Sequence, residues 1–274
     1  MSSPIKTLPS WAFISLATNA LLVMTVILLI QRDYQFSDDA PASASTNQAN
    51  VVDRDSFGIS DLGPRHQLNY EQWLNLLAKE AQVAAQKKPE RLTILAGDSL
   101  SLWFSPNMLP PGRIWLNQAI SGETSTGLLK RLSLFDDTQP QIIFVMIGIN
   151  DLIRGTSDEI ILQNHRDIIR YLRSVHPQSQ IVIQSILPHQ GDRATWEGRD
   201  RLRNLPNSRI RNLNRQLAAI ADQEGVYYLD LHPLFSDSKG QMQAELTTDG
   251  LHLNPKGYLV WRSALQIFIQ LKML

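Results

Sequence analysis

From residue 70 onward, the apolar positions fall into short runs separated by amphipathic stretches. Tyr70, Trp73, Leu74, Leu77, Ala81 and Ala84 recur at steps of three and four, which predicts a helix that ends at Pro89. Five short apolar runs follow: Leu92–Ala96, Arg113–Asn117, Gln141–Ile147, Gln180–Leu187 and Val226–Asp230. Helical patterns separate and follow them at about 123–134, 158–175, 206–223 and 255–271. In the second of these, Ile160, Ile161, Ile168, Ile169 and Leu172 supply the apolar face. Strands alternating with helices predict βαβ units and a parallel α/β sheet of about five strands. The unbroken apolar run at 141–147 suits a central strand covered on both faces. Residues 188–205 form a long irregular connection, of the kind that borders a site.

Ahead of this domain lies a different pattern. Residues 11–30 (WAFISLATNALLVMTVILLI) contain no charge and are apolar all round a helix. At about 1.5 Å per residue such a run spans about 30 Å, the thickness of a bilayer core. It ends in LLIQRDY without a small-residue cleavage site at its edge, so we read it as a transmembrane signal-anchor. The competing reading is a signal peptide cut near APASAS at 40–45, which would leave a secreted protein. The charge flanks orient residues 1–10 to the cytoplasm and the domain to the extracytoplasmic side. Residues 31–66 are poor in large apolar side chains and read as a flexible linker, so the domain takes 67–274.

Composition then narrows the chemistry. With 26 Lys+Arg against 26 Asp+Glu, the chain lacks the basic surface that nucleic acid requires. With no cysteine, thiol nucleophiles, disulfides and thiolate metal sites are excluded. No histidine–carboxylate cluster has metal-ligand spacing, so no metal or other cofactor is expected.

A serine hydroxyl remains as a candidate nucleophile. Gly97-Asp98-Ser99-Leu100 follows the first strand, where ligands bind in open α/β sheets. Taken alone it reads equally as a turn with Asp98 or Ser99 as helix cap. Of the six histidines, His66, His165 and His176 read as solvated, while His189 and His232 sit at strand or loop edges that could line a site. His252 stands three residues after Asp249, a spacing that lets the carboxylate reach the imidazole. Gly122, in the loop after the second run, and Asn150, in Gly148-Ile149-Asn150-Asp151 after the third, offer a backbone N–H and a side-chain amide to a developing oxyanion.

In this order, these blocks resemble the SGNH family of GDSL-type serine esterases and lipases over roughly residues 91–274. The resemblance implies a flavodoxin-like three-layer α/β/α domain. It also implies a triad of Ser99, His252 and Asp249, and an oxyanion hole of Ser99, Gly122 and Asn150. Gly97, Asp98, Gly148 and Asp151 would support them. The expected substrate is a small-molecule or carbohydrate ester, either a fatty acyl or lysophospholipid ester or an O-acetylated sugar. A catalytically silent, membrane-tethered binding module and a sugar O-acetyltransferase are the alternatives.

Overall fold

The computed structural model describes residues 68–272. The signal-anchor at 11–30 and the whole linker at 31–66, His66 included, lie outside the described residues.

The first helix, α1, covers Tyr70–Lys87 and opens on a capping box in which Asn69 and Gln72 exchange side-chain-to-backbone bonds. Its buried face is Trp73, Leu76, Leu77, Glu80, Ala81 and Ala84. Tyr70, counted into the apolar stripe from sequence, is instead exposed, with its hydroxyl donating to Glu123.

Five strands follow: β1 (Leu92–Gly97), β2 (Ile114–Ala119), β3 (Ile142–Met146), β4 (Gln180–Gln184) and β5 (Tyr227–Leu229). All pair in parallel, in the order β2-β1-β3-β4-β5. This is the doubly wound, flavodoxin-like order, and its switch point lies between β1 and β3.

Alternation along the strands builds the two outer layers. Ile94 and Ala96 of β1, with Ile143 and Val145 of β3, face one cluster. That cluster is closed by α3 (Ser125–Arg131), α5 (Asp158–Val175) and α7 (Asn207–Gln223) through Leu128, Ile161, Ile168, Leu213 and Leu217. Leu95, Phe144 and Met146 point to the opposite cluster, closed by α2 (Ser99–Leu102) and α9 (Pro255–Lys272) through Leu100, Tyr258, Trp261 and Leu265. The short helices α4 (Ile149–Ile153), α6 (Arg199–Arg203) and α8 (His232–Phe235) lie at strand ends and in connections.

Besides Tyr70, three expectations are corrected. Ile160 is half exposed, and the inward face of α5 uses Leu162 and His165 instead. His165 is fully buried, its Nδ1 2.9 Å from the Ile161 carbonyl, and His176 is buried and stacked on Phe135, so neither is solvated. β4 stops at Gln184 rather than Leu187, because both backbone groups of Ile186 are taken by the Asn214 side chain of α7, at 2.9 and 2.8 Å. A helix side chain thus replaces the next strand partner, and the chain leaves the sheet there.

Candidate active site

The site is built at the carboxyl ends of β1, β2 and β3. β1 ends at Gly97, and the Asp98 carboxylate caps α2 by accepting the Leu100 N–H at 3.0 Å. Ser99 becomes the first residue of that helix, where a backbone N–H has no intrahelical acceptor. The Tyr258 hydroxyl of α9 donates to the Leu100 carbonyl at 2.9 Å and braces α2 from the other side. Asp98 is fully buried, and its second oxygen has no hydrogen-bond partner. Burial pushes its carboxyl up to about 7 against the pull of the Leu100 N–H, and the charges of Asp151 and Glu123 add to the rise.

His252 and Asp249 come from the turn before α9. The Asp249 carboxylate accepts the backbone N–H of Leu251 at 3.0 Å and of His252 at 2.8 Å through one oxygen. Its other oxygen lies 2.8 Å from His252 Nδ1. Burial opposes ionisation of Asp249, but these bonds outweigh it and hold the carboxyl below its usual range. With Nδ1 facing the carboxylate, Nε2 points to Ser99 Oγ at 3.2 Å. The three residues therefore form one connected relay, with Ser99 and His252 both largely buried.

The flanking loops converge on this relay. Gly122 occupies the third position of a turn closed by the Glu123 N–H and the Ile120 carbonyl at 3.2 Å, with φ 75°, a conformation that favours glycine. Arg154 donates to the Gly122 carbonyl at 2.7 Å. Asn150, in α4 beyond β3, donates one amide hydrogen to the Glu123 carbonyl at 3.0 Å, which leaves the second hydrogen of that amide free for another acceptor. Gly148 caps α4. Asp151 serves structure: its oxygens accept the Ser125 N–H at 2.8 Å and hydroxyl at 2.6 Å, tying the β3 loop to the start of α3.

Four residues at or beside the site escaped the sequence reading. Trp103 packs on the His252 ring at 4.2 Å between centroids while remaining 49% exposed, and Trp196 approaches the same ring edge-on at 6.4 Å. Trp103 stands four residues after Ser99, so helical spacing alone could have flagged it. Trp196 belongs to the 188–205 connection, which borders the site as expected: the Thr195 and Trp196 N–H groups donate to the Asp249 carbonyl at 2.8 and 3.0 Å. Arg131 and Glu123 form a buried ion pair at 2.7 Å, and Arg131 also donates to the carbonyls of Gln118 and Gly97, at the ends of β2 and β1. No local pattern in the sequence marks that pairing. His189 and His232 are buried but lie outside the relay. Among the described residues, no group of three or more His, Cys, Asp or Glu side chains could hold a metal ion.

A flavodoxin-like sheet with a serine–histidine–aspartate relay at its switch point has the architecture of a serine hydrolase. Residues 102–260 match the GDSL-like Lipase/Acylhydrolase family, a span that begins just beyond Ser99 and includes Asp249 and His252. The chain belongs to that family. It is 27% identical over 158 residues to the isoamyl acetate-hydrolyzing esterase of Saccharomyces cerevisiae, covering 55% of this chain and 66% of that protein. It is also 27% identical over 138 residues to Esterase TesA of Pseudomonas aeruginosa, covering 50% of this chain and 60% of that one. The chain thus matches less than two thirds of the length of either relative. Among solved structures, a GDSL-like lipase from Bacteroides thetaiotaomicron shares the fold with a TM-score of 0.59 at 16% identity, covering 74% of this chain and 100% of that one.

Proposed function

We propose that this chain hydrolyses carboxylic esters through an acyl-enzyme at Ser99. The carrying observation is the continuous path from Asp249 through His252 to Ser99, at 2.8 and 3.2 Å. Ser99 Oγ attacks the ester carbonyl carbon as its proton passes to His252 Nε2. Asp249 fixes the tautomer and stabilises the imidazolium. The N–H groups of Ser99 and Gly122 and the free amide hydrogen of Asn150 receive the oxyanion. Collapse expels the alcohol, which takes the proton from His252. Water then attacks the acyl-enzyme, with His252 as base, and the acid leaves.

The yeast relative's named substrate, isoamyl acetate, is a short acetate ester and supports the same reaction here. Two substrate classes follow, fatty acyl or lysophospholipid esters and O-acetylated carbohydrates. A chain-length series of chromogenic esters run beside acetylated xylan separates them. The apolar run at 11–30 supports a single-pass anchor that holds the domain on the extracytoplasmic side.

The decisive test is S99A. It should lose fluorophosphonate labelling and ester turnover while unfolding at the same denaturant concentration as the parent. Persistent labelling of S99A would remove Ser99 from the mechanism.

A further inference from the structure

The turn that presents Gly122 has two ways to point its N–H. It runs from Ile120 to Glu123 and is closed by the Glu123 N–H on the Ile120 carbonyl at 3.2 Å. Gly122 has φ 75°, while Ser121 is not in the positive-φ region. That combination defines a type II turn. Its type I counterpart differs by rotation of the Ser121–Gly122 peptide, which reverses the Gly122 N–H while the closing bond survives. Glycine takes φ of either sign at little cost, so its own backbone does not choose between the two. The Gly122 N–H makes no hydrogen bond among the described residues, so it does not hold the turn either.

Three side chains grip the end of this turn, and each takes a different atom. Arg131 pairs with the Glu123 carboxylate at 2.7 Å, and the Asn150 amide donates to the Glu123 carbonyl at 3.0 Å. Arg154 is the one that reaches Gly122, donating from Nη2 to its carbonyl at 2.7 Å. The same nitrogen would stand 3.6 Å from a Cβ on Gly122, so the guanidinium lies along the bare face of that glycine.

Arg154 caps the carboxyl end of α4, one turn after Asn150, with its own N–H on the Asn150 carbonyl at 3.0 Å. The helix thus supplies one oxyanion donor directly and holds the residue that carries another. Arg154 is exposed and forms no ion pair among the described residues, so no carboxylate competes with the Gly122 carbonyl for it.

We infer that Arg154 is a positioning residue, which keeps the Gly122 N–H turned toward the oxyanion. It acts through the Gly122 backbone rather than by contact with substrate. That role rests on ester hydrolysis at Ser99, since only an oxyanion gives this N–H a task.

The test compares R154M, R154K and R215M in the full-length chain. Each is assayed on a chromogenic ester and against a trifluoromethyl ketone, which forms a tetrahedral adduct on a nucleophilic serine. R154M should lower kcat roughly tenfold, a part of the about 10²–10³-fold that an oxyanion donor supplies, with KM near the parent value. Its inhibition constant for the ketone should rise by a similar factor, because the adduct carries the oxyanion and the free ester does not. The unfolding midpoint should stay that of the parent. R154K keeps the charge and a donor and should recover most of both losses. R215M removes an exposed arginine of α7 and should change neither quantity. Parent-like kcat and ketone inhibition in R154M overturn this role. So does a rise in KM at constant kcat, which would make Arg154 a substrate-binding residue, and so does an equal loss in R215M, which would mark diffuse charge. Turnover that survives in S99A overturns the ester reading and this role with it. Turnover lost in S99A but intact in R154M overturns the role of Arg154 alone.

Discussion

The two halves of the proposed Ser99–His252–Asp249 relay are held in different ways. Ser99, Gly122 and Asn150 rise from three adjacent strands of one sheet, and the links among them are buried: Arg131 joins Glu123 to the ends of β1 and β2, and Asp151 joins the β3 loop to α3. His252 and Asp249 stand on a turn. It is held by its own backbone, by Thr247 and Thr248, and by the N–H groups of Thr195 and Trp196 from another loop. Their side chains are 10% and 24% exposed. The proposed nucleophile and oxyanion donors are thus fixed by the core, while the proposed base is delivered by a clamp between two loops. Amide hydrogen exchange should be slower in β1 and β3 than across residues 247–252.

The sharpest way to break the loop half is D249N. It keeps the size of the side chain but removes the charge that selects the His252 tautomer, and turnover should fall about 10⁴-fold with the unfolding midpoint little changed. A small loss of kcat would show that the backbone of the turn, not the carboxylate, orients the ring. The core half should break differently. R131M strands Glu123 as a buried unpaired charge and should cost about 3–5 kcal/mol in urea unfolding. An unchanged midpoint would mean that the core half does not depend on that ion pair. N150A tests the boundary between the halves, and should lower kcat about 10²–10³-fold with KM nearly constant. An equal rise in KM would assign Asn150 to substrate binding instead.

The smallest effect concerns pH. The Asp98 carboxyl is raised to about 7 when folded, so its contribution to stability is fully present below pH 4 and is lost as pH rises through about 7. D98N keeps an acceptor for the Leu100 N–H and does not titrate. Relative to the parent it should gain up to a few kcal/mol between pH 4 and 8, at about 1.4 kcal/mol per pKa unit. Parallel urea midpoints for the two proteins across that range would place the cost of burying Asp98 elsewhere.

The same contrast explains what was legible in the sequence. The strands were readable because burial on both faces demands continuous apolar runs, and α5 and α7 because their periodicity is strong. The proposed relay was readable because Ser99 follows a strand and opens the next helix, and the Asp249–His252 contact is local, three residues apart. Long-range polar pairings were not. Arg131 and Glu123 look like ordinary charges, and only the folded sheet shows that both are buried. His165 looked solvated because its helix stretch carries charges, and His176 because it ends a helix just before Pro177, yet both side chains turn inward and are buried. The end of β4 was misjudged for the same reason: Asn214, twenty-eight residues beyond Ile186, decides it.

The stacking of Trp103 on His252 gives the site an optical handle. An indole at this distance from an imidazole loses emission when the ring becomes cationic. The half-exposed face of Trp103 is open to contact by a ligand bound beside the imidazole. The fluorescence of this one side chain, isolated by comparison with W103F, should therefore follow proton arrival and substrate arrival in real time, without label or chromogenic ester.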